Sequence, residues 1–146
     1  NLGNAQFDFV FNLFTSFGYF NKREDDILAL KAIANCLKPG GTLVLDFMNA
    51  EKVAQRLVPK EHKNAGGIDF YIERFTTEKH IVKEIKFVAD EKEWCFKEEV
   101  QLLTKADFEE FIELANLKLV AHFGSLDLQP FNALHSDRLI LLAQKI

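Results

Sequence analysis

The residues best suited to chemistry fall together in Asn12-Leu13-Phe14-Thr15-Ser16-Phe17-Gly18-Tyr19-Phe20, directly after an aromatic, β-branched segment. Asn12 carries both a donor and an acceptor, Leu13 and Phe14 offer apolar surface, and Gly18 allows close backbone approach to a ligand. Phe17, Tyr19 and Phe20 can wall a pocket, although pattern alone allows equally that they fill core. Asp46 and Asn49 follow the next apolar segment and are expected on the same rim, with Asn49 fitting a helix cap as well. The rest of the chain offers little catalytic material. His62, His80, His122 and His135 are scattered, and Cys36 and Cys95 stand apart from other ligands, so no metal site is expected. Gly-x-Ser-x-Gly and Gly-x-x-x-x-Gly-Lys-Ser/Thr are both missing, which removes a serine-hydrolase elbow and a phosphate-binding loop. Glu91, Glu93, Glu98 and Glu99 read as a solvated face.

These residues need elements to hold them. Residues 7–13 read as a strand buried on both faces, the pattern of a parallel sheet. A helix follows, with Asn21 as cap, Glu24 three residues later, and Ile27, Leu30, Ala34 and Leu37 as its apolar stripe. Lys38-Pro39-Gly40-Gly41 ends it in a turn with positive φ at Gly40. Residues 42–48 form a second buried strand and complete a βαβ unit. Such a unit puts the two strand ends on one rim, where open α/β sheets bind ligands. Residues 50–58 read as a short helix and 60–67 as a loop. Residues 70–75, 80–88 and 93–103 then alternate as antiparallel strands, with Ile81, Ile85 and Phe87 on one face and Trp94, Phe96 and Val100 repeating the theme. Thr104 caps a helix with Asp107 in the capping-box position and Phe108, Phe111, Ile112 and Ala115 facing core. Residues 118–123 and 138–143 supply the last two strands.

Composition bounds the class. The chain has 146 residues, enough for a single domain 1–146, with 48% hydrophobic and 27% charged residues, which argues against disorder. A net charge of −4 gives no basic field for nucleic acid. No apolar run approaches the roughly 20 residues of a membrane helix, so no membrane partner is expected. Two cysteines in unrelated contexts fit reduced thiols and a cytoplasmic protein. The chain opens on Asn1-Leu2-Gly3-Asn4 with Met48 as its single methionine, which reads as a trimmed chain.

In order and wording these motifs resemble the class I S-adenosylmethionine-dependent methyltransferases. Phe7-Asp8-Phe9-Val10-Phe11 with Thr15-Ser16-Phe17-Gly18-Tyr19-Phe20 resembles that family's strand four and its loop. Leu37-Lys38-Pro39-Gly40-Gly41-Thr42-Leu43-Val44-Leu45-Asp46 is similar to the approach to strand five, and residues 105–145 to the last helix and the strand six–seven hairpin. Asn116 stands where the family commonly has glycine, and asparagine also tolerates left-handed geometry. The resemblance implies an α/β fold: a partial Rossmann-like methyltransferase sheet, strands four to seven, with an inserted antiparallel meander at 68–103. It implies S-adenosylmethionine as cofactor, touched by Asn12, Leu13 and Phe14, with Phe17, Tyr19 and Phe20 on the side of a small-molecule substrate. Tyr19 and His135 are the candidates for a general base. The family's Gly-rich loop and acidic strand end precede strand four, so the resemblance implies a carboxyl-terminal portion, inactive alone. The alternative reading is a non-catalytic binding or dimerisation module that keeps the fold. Either way, the bare edge of 7–13 is expected to pair two copies or be buried otherwise.

Overall fold

Leu43, Leu45 and Phe47 alternate along one strand with no exposed surface, and this row is the floor on which the fold is built. A computed structural model describes residues 3–146; Asn1 and Leu2, where the expected domain begins, lie outside the described residues. In chain order the elements are β1 (Phe7–Asn12), α1 (Arg23–Cys36), β2 (Leu37–Met48), α2 (Ala50–Gln55), β3 (Lys60–Ala65), β4 (Ile68–Thr76), β5 (His80–Ala89), β6 (Lys92–Gln101), α3 (Lys105–Leu114), β7 (Leu117–Phe123) and β8 (Arg138–Lys145). They form two sheets, ordered β1-β2-β8-β7 and β3-β4-β5-β6. In the first, β1 is parallel to β2, while β2–β8 and β8–β7 are antiparallel. The result is the mixed α/β, partial Rossmann-like sheet that the sequence reading expects.

The core lies on one face of that sheet. Leu30 and Ala34 of α1 and Phe108, Phe111 and Ile112 of α3 pack with Leu43, Leu45, Phe47, Leu139 and Leu141. Burying each such side chain contributes about 1.5–3 kcal/mol. On the opposite face, the register sets Phe9 beside Thr42 and Phe11 beside Val44. Here the structure corrects the sequence. The segment 7–13 is not buried on both faces: Phe9 and Phe11 are 59% and 60% exposed, their rings stacked 6.1 Å apart. The strand is apolar enough for a sheet interior, but within the described residues it is an edge with nothing on that face.

Other departures are local. The N-cap of α1 is Lys22 rather than Asn21, and it makes no side-chain cap bond. The acids Glu24, Asp25 and Asp26 still occupy the first turn, where the helix dipole favours them. Gly40 does take positive φ (+76°), but Lys38-Pro39-Gly40-Gly41 lies inside β2 as an irregularity, with the register jumping between Phe7 and Phe9. Residues 60–65 are not a loop but the strand β3, paired with β4 from Lys60–Glu73 to Ala65–Ile68. Gly66 and Gly67, both at positive φ, make the two-residue hairpin turn between them. The antiparallel layer therefore spans 60–101. Within it Ile81 pairs with Val100, Ile85 with Phe96 and Phe87 with Trp94, the facing that alternation gives.

The capping box of α3 forms as expected: the Thr104 hydroxyl accepts from the Asp107 N–H, and the Asp107 carboxylate accepts from the Thr104 N–H at 2.8 Å. Burial alone would raise the Asp107 carboxyl. The bonds from Thr104, and then Arg23, outweigh it and hold the group below its ordinary value. Stability from such a group is present above the unfolded value near pH 4 and is lost as pH falls through the depressed one. Thr104→Ala should cost about 1 kcal/mol in urea denaturation at neutral pH. Asp107→Asn should lessen the loss of stability on acidification below about pH 4.

Candidate functional site

β1 ends at Asn12, and the chain then turns sharply. Phe14 and Thr15 both adopt left-handed backbone, φ +59° and +58°. Two consecutive non-glycine residues there, one of them β-branched, cost about 1–2 kcal/mol each, so something must hold them. The holder is Asp46, 2% exposed at the end of β2. Its Oδ2 accepts from the Phe14 N–H at 2.9 Å, and its backbone carbonyl accepts from the Thr15 N–H at 3.0 Å. Its Oδ1 accepts from Arg138 Nε at 2.7 Å, and Arg138 Nη2 donates to the Thr15 hydroxyl at 3.1 Å. Parallel pairing of β1 with β2 puts the two strand ends side by side, and β8, entering antiparallel, delivers Arg138 opposite Met48. A buried carboxylate, a cation and a strained turn thus close one circuit. Strain of this kind concentrates at ligand sites.

The sequence-derived site residues divide clearly. Asn12 and Leu13 are half-buried at the strand end; Asn12 Oδ1 accepts from the Ser16 hydroxyl at 3.1 Å, and that hydroxyl also donates to the Leu13 carbonyl at 2.6 Å. Phe14 projects from the strained turn, 82% exposed. Tyr19 and Phe20 are about half exposed, whereas Phe17 is 3% exposed with its ring 5.7 Å from Phe108. Phe17 does not wall a pocket on the substrate side. It pins the loop to the core, the alternative that pattern alone left open. Gly18, at φ +80°, lies so near Phe47 that an added Cβ would come within 3.2 Å of its ring.

Asn49 occupies the N-cap position of α2 but makes no cap bond there; its amide instead donates to the carbonyls of Ala133 and Ser136, each at 2.8 Å. His135 is exposed in the 132–137 turn, with its N–H held by Asn132 and its carbonyl by Lys52. Among the described residues no group of three metal-ligating side chains occurs. A cavity of about 620 Å³ lies away from this rim on the antiparallel layer, lined by Tyr71, Lys86, Trp94 and Cys95 among others. Arg138 and Gln101 are the functional neighbours that sequence reasoning missed. Arg138 had a signal: a buried strand-end aspartate needs a cation, and one stands at the mouth of an apolar strand.

Searches of solved structures compare the whole arrangement. The chain matches an S-adenosylmethionine-dependent methyltransferase from Clostridium acetobutylicum ATCC 824 with a TM-score of 0.84 at 20% identity, over 97% of this chain and 59% of that one. The fold is class I methyltransferase-like. The methyltransferase CcbJ from Streptomyces caelestis matches this chain with a TM-score of 0.81 at 14% identity, over 100% of this chain and 64% of that one. The sugar N-methyltransferase KedS8 from Streptoalloteichus sp ATCC 53650 matches at 0.73 and 16%, over 97% and 57%. The chain thus spans about three-fifths of the length of these solved chains. No family model and no curated protein matches the sequence. Among the described residues no helix is long and apolar enough to cross a membrane.

The geometry gives a paired expectation. Arg138→Met should destabilise the protein by about 3 kcal/mol, because it leaves the Asp46 carboxylate buried without its cation. Phe14→Gly should stay within about 1 kcal/mol of wild type, since relief of left-handed strain offsets the added freedom of the unfolded chain. Urea titrations of both variants test this; a Phe14→Gly loss as large as that of Arg138→Met would show that the ring serves stability.

Proposed function

We propose that the protein is the carboxyl-terminal part of an S-adenosylmethionine-dependent methyltransferase acting on a small-molecule acceptor. The observation that carries this reading is the strained, buttressed turn that holds Phe14 out at the carboxyl end of β1, in a fold shared with methyltransferases. Its surroundings suit the apolar part of a cofactor: an exposed ring, the half-buried Leu13, and a backbone fixed in advance. They do not suit its hydroxyl-rich part. Both Asp46 oxygens and Asn12 Oδ1 already have partners, so the Phe14 turn offers no spare side-chain carboxylate for ribose hydroxyls. On this reading the chain alone holds only part of a cofactor site.

When bound, the cofactor supplies an electrophilic sulfonium methyl. The task left to the protein is mainly to hold an acceptor in line with it. Tyr19 and Phe20, half exposed just past the turn, are our candidates for the acceptor side. Tyr19 is the candidate base where the acceptor must lose a proton, being on the same loop as Phe14, whereas His135 is on a separate one. Calorimetric titration with S-adenosylmethionine, its demethylated product and NAD tests the reading. We expect no saturable binding to wild-type chain, or weak binding of the first two that Phe14→Gly abolishes. Binding of NAD alone would overturn it.

A specific observation favours a second property, self-association. β1 is a sheet edge with Phe9 and Phe11 exposed and Asp8 as its single charge. We propose that two copies pair antiparallel through β1, a register that can set Phe9 opposite its own counterpart and extend one sheet through both. Sedimentation velocity should show a dimer that Val10→Lys dissociates; a wild-type monomer at about 100 μM, a weak-association concentration, would sink it.

A further inference from the structure

We propose that Gln101 and Asp26 are positioning residues: they form a joint that makes the antiparallel layer and the loop after β1 move as one unit. The inference rests on the reading that this loop carries the ligand contacts. Gln101 is the last residue of β6, and it grips the loop twice. Its backbone N–H donates to the Gly18 carbonyl at 2.8 Å, and its Nε2 donates to the Phe20 carbonyl at 2.7 Å. The same Nε2 donates its second proton to Asp26 Oδ2 at 2.5 Å, in the first turn of α1. One amide therefore ties together the layer, the loop and the helix that follows it. The adjoining residue repeats the link to the layer, as the Leu102 N–H donates to the Lys79 carbonyl at 2.8 Å. At its other end the loop is clamped by Asp46 and Arg138, and between these two polar anchors Phe17 is packed against Phe108.

The anchors differ in kind. Both Asp46 oxygens are satisfied, but Asp26, 0% exposed, has an Oδ1 with no partner. His80, which pairs across from Gln101, likewise keeps a buried Nε2 without a partner. These are the only two such side-chain atoms among the described residues, and they flank the same glutamine. Native proteins satisfy nearly all buried polar groups, and a half-satisfied site loosens easily.

The charged surroundings set when the joint loosens. On its own helix Asp26 faces Asp25 and Arg23; the cleft beside its partner Gln101 gathers Arg23, Glu78, Lys79, His80 and Asp107, the last already engaged by Arg23. Burial raises the Asp26 carboxyl above its ordinary value, the Gln101 bond opposes this, Asp25 adds to the rise, and Arg23 opposes it. A carboxyl raised in the folded state gives its full stability below the unfolded value and loses it as pH rises through the folded one. The joint is tight with Asp26 neutral and loosens as it ionises.

Hydrogen exchange by mass spectrometry on the full chain, corrected for intrinsic rates, tests the joint from about pH 4 to about pH 8, bracketing a raised carboxyl. In wild type, peptides over 14–22 and over 79–82 with 99–102 should speed up together as pH rises, while β8 does not. Gln101→Leu, which removes both side-chain hydrogen bonds, should raise exchange in both segments at least about tenfold, without a matching rise in β8. Asp26→Asn should keep both segments slow and remove their pH dependence. An Asp26→Asn profile that follows wild type, a response in one segment only, or an equal rise in β8 would overturn the joint. Should Gln101→Leu fail to fold, the wild-type profile and Asp26→Asn still decide. No cofactor enters these measurements, so binding of NAD alone in the calorimetric titration would remove the functional reading and leave the joint standing, and the reverse holds too.

Discussion

The pairing of Asp46 with Arg138 is the contact on which the functional end of this fold depends. A carboxylate at 2% exposure is costly unless a cation and good donors meet it, and here both do. In return the pair fixes two left-handed residues that no local preference would choose. It draws on three strands at once: β1 supplies the turn, β2 the aspartate and β8 the arginine. The sheet order β1-β2-β8 is therefore a requirement of the site as well as of the core. A strand swap that left every leucine buried would still abolish the turn.

Much of the architecture can be read directly from the residues because its signals are local. The alternation from Ile81 to Trp94, the Thr104–Asp107 cap and the left-handed Asn116 (φ +56°) each depend on a few neighbouring side chains. The strand β3 was hidden for a physical reason. Most of its residues are exposed, so it carries no hydrophobic period, although Gly66-Gly67 did mark its hairpin. The burial of 7–13 was misread because apolar character records what a strand is suited to, not what covers it.

The site was legible in position more than in role. Asn12 to Phe20 is where the structure puts its strained turn and exposed rings, yet Phe17 belongs to the core and Asn49 braces the 133–136 carbonyls instead of capping. Asp26 and Gln101 lie 75 residues apart, and no sequence period links them. Such long-range polar pairs are invisible until the chain is folded.

The two sheets also differ in how far the chain must travel to close them. β3 to β6 join neighbour to neighbour through short turns, so the layer's pairings are local in sequence. The central pairing of the other sheet joins Thr42 to Gln144, with the entire layer held in the intervening loop. Local hairpins form in microseconds, whereas long loop closure is slow until something shortens it. The pairings of the layer are thus the ones chain entropy opposes least, and that of β2 with β8 is the one it opposes most.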